Sequence, residues 1–125
     1  MAEGSSSKLS NIADVEIDPE GRFKYILIKV TGDAHGNVFK YIVRGFSWAG
    51  YRADIYDGIE EEIRQMGLKS DCVGGGRIQH DNAESKIFVY GYSMGYGQAD
   101  HSITVEKLKK AYPHYASITF SNEGY

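Results

Sequence analysis

The stretch Phe23-Lys24-Tyr25-Ile26-Leu27-Ile28-Lys29-Val30-Thr31 decides the fold. It is β-branched and aromatic, so it reads as a strand. Side chains alternate along a strand, which places Phe23, Tyr25 and Leu27 on one face and Lys24, Ile26, Ile28 and Val30 on the other. Both faces are largely apolar. That pattern predicts a central strand covered on both sides, with Lys24 at its start, where its charge still reaches a rim.

Upstream, Asp14-Val15-Glu16-Ile17-Asp18 alternates with period 2, a short edge strand closed by the turn Pro19-Glu20-Gly21. Downstream, residues 32–37 form a turn and Val38 to Gly45 a second strand, paired with the first as a hairpin. Val38, Lys40, Ile42 and Arg44 share one face of it. Arg44, at the strand end, reads as a solvated rim residue; it meets an anion held by Lys24 only if the register places both on one side of the sheet.

The longest helical pattern runs from about Gly50 to Met66, where Ile55, Ile59 and Ile63 recur every fourth residue. Arg52 falls in or before its first turn, where a cation opposes the helix dipole. One reading is an exposed arginine reaching solvent. The other is an arginine that helps a helix N-terminus bind an anion. Residues 70–80 read as a strand, a kink at Gly74-Gly75-Gly76 and another short strand. Lys86 to Tyr90 is a strand, Thr104 to Tyr112 a short helix with Thr104 as N-cap, and Ala116 to Phe120 a last strand. Pro113 stops the second helix. The sum is one α/β (α+β) domain, a roughly six-stranded mixed sheet flanked by two main helices.

The chain has 125 residues, enough for a single core without staples. Residues 1–10 are small and polar and read as a disordered tail, leaving 11–125 as the domain. A net charge of −3 gives no general attraction to nucleic acid or to an anionic membrane. No apolar run approaches the ~18 residues of a membrane span, and no signal-peptide core follows Met1. The one cysteine, Cys72, excludes an internal disulfide and suits a reducing, cytoplasmic compartment.

Chemistry concentrates after the strand 86–90, in Gly91-Tyr92-Ser93-Met94-Gly95-Tyr96-Gly97. A strand that ends in serine and alternating glycines allows successive N–H groups to converge on one oxygen cluster. The plain alternative is a glycine-rich turn leading to the next helix. Cys72 and Arg77 invite comparison with Cys-x5-Arg phosphatases, but the spacing is one residue short and no helical pattern follows. Cys72 reads as a small apolar residue, and Arg77 as either a phosphate ligand or a structural rim charge, the structural reading being preferred. No His/Asp/Glu cluster shows metal-ligand spacing, so no cofactor is expected.

The order of landmarks resembles the Janus/Ocnus family from about residue 12 onward. The shared runs are Phe23-Lys24-Tyr25, Val43-Arg44-Gly45, Ala53-Asp54-Ile55-Tyr56-Asp57, Gly74-Gly75-Gly76-Arg77-Ile78 and Val89-Tyr90-Gly91-Tyr92-Ser93-Met94, with a terminal Gly124-Tyr125. The resemblance implies a metal-free enzyme that hydrolyses the P–N bond of phosphohistidine on proteins or peptides and releases inorganic phosphate; a monomer is expected. It also implies roles: Lys24 binds substrate, and Ser93, Met94 and Gly95 cradle the phosphoryl group opposite Arg52 and Ala53 at the helix start. Arg44 and Arg77 match family arginines at the site or in its supporting layer.

One position departs. The family reads Tyr-His-Ala-Asp at the helix start and this chain Tyr51-Arg52-Ala53-Asp54. The family's histidine is the proposed general base, kept neutral by the positive end of the helix. Arginine stays protonated and cannot take that role. Three readings follow: a phosphohistidine phosphatase with weakened turnover, a non-catalytic phosphohistidine- or phosphate-binding protein, and a structural or regulatory protein with an empty anion site.

Overall fold

The computed structural model describes residues 8–32 and 37–123. Six strands, β1 (Val15–Ile17), β2 (Gly21–Thr31), β3 (Phe39–Gly45), β4 (Lys69–Asp81), β5 (Lys86–Tyr90) and β6 (Ser117–Phe120), form one sheet in the order β1-β3-β2-β4-β5-β6. The central pairs are antiparallel, while β1 and β6 add to the edges in parallel. Helix α1 (Arg52–Gln65) covers one face and α2 (His101–Ala111) the other.

The two faces of β2 divide as its alternation predicts. Phe23, Tyr25 and Leu27 pack with Val105 and Leu108 of α2. Ile26, Ile28 and Val30 pack with Ile55 and Ile63 of α1. Each fully buried aliphatic side chain contributes about 1.5–3 kcal/mol, so the isoleucine stripe of α1 is what fixes that helix, and the cavity at its N-terminus, to the sheet.

Several expectations are corrected. Residues 70–80 are not a kinked pair of strands: β4 is continuous from Lys69 to Asp81, with only a register shift opposite Leu27 and Ile28. Its glycines are there for close approach. A Cβ on Gly74 would stand 2.6 Å from the backbone of Ala99, one on Gly75 2.7 Å from Tyr25 O and 2.8 Å from Arg52 Cδ, and one on Gly76 2.4 Å from Tyr90 O. Helix α2 begins three residues before Thr104, capped by Asp100, whose carboxylate accepts from Ser102 N at 3.1 Å. Thr104 is buried and serves the core.

Of the expected tail at 1–10, residues 1–7 lie outside the described residues; 8–10 are helical and Leu9 is buried. Among the described residues no helix is long and apolar enough to cross a membrane. Trp48, two-thirds exposed, stacks on Phe46 at the turn between β3 and α1, with ring centroids 5.8 Å apart.

Candidate active site

A cavity of about 990 Å³ opens between the N-terminus of α1, the loop 92–96 and the rims of β2 and β4. Lys24, Arg52 and Arg77 line it, and among the described residues no aspartate, glutamate or histidine does. A chain that is acidic overall therefore gathers three cations on one concave surface. Such a wall favours a multiply charged anion.

Each cation is placed by the fold. Lys24 enters from β2 and Arg77 from β4 as directly opposed partners of the ladder. Arg77, read from sequence as a rim charge, lies on the cavity wall because β2 and β4 stay paired to this end. Arg52 is the first residue of α1 and lies across the glycines of β4. Its Nε and Nη2 donate to Gly76 O at 3.1 and 2.7 Å. A guanidinium has five N–H donors, so three remain beyond this anchor. Burial and then the nearby Arg77 lower the Arg52 pKa from its ordinary value, but an arginine stays charged in a protein. The first-turn anomaly thus has a structural answer: Arg52 turns away from solvent onto a buried carbonyl.

The loop is held from three sides. Ser93 and Gly97 exchange both backbone hydrogen bonds, at 3.1 and 2.8 Å, and Tyr96 N donates to Ser93 Oγ at 3.0 Å. Gly75 N donates to Gly97 O at 3.0 Å and Ala99 N to Gly75 O at 3.1 Å, so the glycine triplet seats the loop directly on β4. Tyr96 packs edge-on against Tyr56 of α1, centroids 5.9 Å apart. Ser93, expected to offer its N–H to an anion, spends it on Gly97 O and builds the loop. Among the described residues the N–H groups of Met94 and Gly95 have no protein acceptor, and those of Arg52 and Ala53 open α1, where no intrahelical acceptor exists. Two pairs of donors thus flank the cavity. The Met94 side chain, 93% exposed, stands at its mouth.

Arg44 is elsewhere. It shares a face with Lys24, as the register required, yet it is only 3% exposed and turns toward β1. Nη2 donates to Ala13 O at 2.8 Å and Nε approaches Glu16 Oε1 at 3.4 Å. The parallel edge strand β1 buries the end of β3, so this arginine braces the crossover and is no rim residue.

Below the site lies a polar network that the sequence did not announce. Gly91 O can only accept, so His101 Nε2 (2.8 Å) carries the ring proton. Nδ1 of the neutral ring then accepts from Tyr25 Oη at 2.6 Å, and Thr104 Oγ1 donates to Tyr25 Oη at 3.0 Å. Burial lowers the His101 pKa from its ordinary value, consistent with a neutral ring. His80 is likewise buried, with Nδ1 donating to Asp18 O (2.8 Å) and Nε2 accepting from Tyr115 Oη (2.7 Å). Neither histidine reaches the cavity. Burial also pushes the Cys72 thiol up to about 11, so it stays protonated at neutral pH and has no thiolate to attack with.

The pattern of the Janus/Ocnus family (Ocnus) matches residues 9–116. The 14 kDa phosphohistidine phosphatase of Sus scrofa is 49% identical over 126 residues, spanning 97% of this chain and 98% of that protein. The protein of that name from Homo sapiens is 48% identical over 94% of this chain and 96% of its own length. Sex-regulated protein janus-A of Drosophila yakuba is 45% identical over 97% of this chain and 87% of its own.

Proposed function

The chain belongs to the Janus/Ocnus family, and we propose that it is a phosphohistidine phosphatase that holds the phosphoryl group firmly and turns it over slowly. One observation carries this reading: the cavity wall joins three cations and two pairs of backbone donors with, among the described residues, no carboxylate. A phosphoryl group carries up to two charges and three acceptor oxygens. The wall complements all of them.

In the reaction, a water oxygen attacks phosphorus and the P–N bond breaks. The electron pair leaves on the imidazole nitrogen, which takes up a proton, and phosphate departs. Phosphoryl transfer depends mainly on positioning and on neutralising the equatorial oxygens. Lys24, Arg52, Arg77 and the N–H groups of Met94 and Gly95 supply that. What is missing is a base for the attacking water, because Arg52 occupies the position where the family resemblance puts a histidine. A general base contributes about 10²–10⁴-fold, which sets the expected deficit.

A non-catalytic phosphohistidine binder is the second reading, favoured by the lack, among the described residues, of any imidazole or carboxylate on the wall. Single-turnover release of phosphate from a phosphohistidine peptide separates the two. Release above the peptide's own hydrolysis supports the phosphatase. Tight binding with no acceleration leaves the binder standing and removes the enzyme.

A further inference from the structure

Beside the cavity lies a smaller cleft of about 130 Å³. It shares Lys24 and Arg77 with the cavity and adds Arg22, with Phe23, Phe46, Ser47 and Ala49 completing its wall. Arg22 and Lys24 are alternate residues of β2 and so project to the same face. Arg77 stands opposite Lys24. The cleft is therefore lined by three cations together with apolar side chains. No carboxylate lines it among the described residues. The acid beside it, Asp18, is committed to Ser47, accepting from the backbone N–H at 2.7 Å and the hydroxyl at 2.6 Å.

We propose that this cleft is a second anion subsite that takes a carboxylate side chain flanking the phosphohistidine, so that the protein selects acidic sequence contexts. The inference rests on the phosphohistidine reading above. Phe46 and Ala49, which line the cleft, offer apolar contact to the methylene stem of a glutamate, and the planar guanidinium forks of Arg22 and Arg77 match a carboxylate. The two recesses share two side chains, so their occupants are neighbours. An extended chain advances only ~3.3–3.6 Å per residue, which puts the acidic residue one or two positions from the phosphohistidine.

The test uses the full chain and fluorescent peptides carrying a hydrolysis-resistant phosphohistidine mimic, with Glu or Gln placed in turn at each of the four nearest positions. Anisotropy gives Kd for each pair. At one position or more, Glu should bind about two- to fivefold more tightly than Gln, as an exposed charge-assisted contact allows. The ratio should shrink as salt is raised. Arg22→Gln should bring it close to one, while Lys110→Gln, on the opposite helix, should leave it intact. Equal affinities at all four positions overturn the subsite and leave the phosphoryl cavity untouched. A preference that survives Arg22→Gln also overturns it. If no peptide binds, the phosphohistidine reading falls and the subsite falls with it.

Discussion

Lys24 and Arg77 stand directly across from one another in the ladder between β2 and β4, two cations where a sheet ordinarily places partners of opposite sign. Like charges in this position destabilise by roughly 0.2–1 kcal/mol relative to neutral pairs. The sheet tolerates the conflict at the rim of the cavity, where the anion proposed to bind would relieve it.

Lys24→Met should therefore act in opposite senses with and without ligand. Without phosphate the thermal midpoint should hold or rise by a degree or so, about what a few tenths of a kcal/mol produce in a domain of this size. With phosphate at high concentration the parent chain should gain stability by mass action, and the variant should gain less. A variant whose midpoint climbs with phosphate as steeply as the parent's would remove Lys24 from the site.

Amide shifts should locate the anion more finely than mutation does. Phosphate titrated into labelled protein should move the N–H signals of Met94, Gly95, Arg52 and Ala53 most. The Ser93 N–H, already donating to Gly97 O at 3.1 Å, should move less than those of Met94 and Gly95. If Ser93 led the response, the loop would have to open its internal pair to bind.

Arg52→His separates binding from chemistry. The imidazole should raise single-turnover hydrolysis of phosphohistidine by about 10²–10⁴-fold, while phosphate affinity falls with the loss of a permanent charge. The same change removes both donors from Gly76 O, so unfolding free energy should drop by on the order of 1 kcal/mol. Equal rates in the two proteins would show that this position carries no proton in this chain.

His101 gives stability a pH signature. Its folded pKa lies below the ordinary 6.5, chiefly through burial. The unfolded chain thus binds more protons below that value, and stability rises with pH there. The contribution is complete above about pH 6.5 and is lost as pH falls from there through the folded pKa. Asp14 and Asp100 are also lowered, but from 3.8, so their losses begin in a more acidic window. Urea midpoints between pH 7.5 and 4.5 should decline in the parent chain, and His101→Gln should flatten that decline. An unchanged slope would assign it to another group.

Catalysis, where present, should be indifferent to thiol and metal reagents. The Cys72 thiol is pushed up to about 11 by burial, and among the described residues no group of three His, Cys, Asp or Glu is arranged to hold a metal. Turnover should survive a chelator and Cys72→Ala in folded protein. Loss in either case would bring a thiol or metal step back.

The elements were legible where one force dominated. The alternation of β2 and the four-residue spacing of Ile55, Ile59 and Ile63 are hydrophobic signals, and both faces fell where the pattern put them. Gly74-Gly75-Gly76 misled because glycine weakens a strand locally, whereas here the reason for it is tertiary: Ala99, Arg52 and Tyr90 fill the space a Cβ would take. The start of α2 was missed although Asp100 is a good N-cap residue, since Thr104 is another and stands closer to the periodic run. Arg44 looked solvated because nothing in its own strand shows that β1 will bury it. Lys24, Arg52 and Arg77 are far apart in the chain, and only the β2–β4 register and the seating of α1 bring them onto one wall.

The stacked pair of Phe46 and Trp48 has a practical consequence. Trp48 is the chain's one tryptophan, and its stacking partner forms part of the wall of the smaller cleft. The protein thus carries an intrinsic optical reporter beside the proposed anion sites. Its emission, red-shifted by solvent because the indole is two-thirds exposed, will respond when a peptide covers the ring. Occupancy of the site can be followed in unlabelled protein, in real time, by the colour of a single fluorophore.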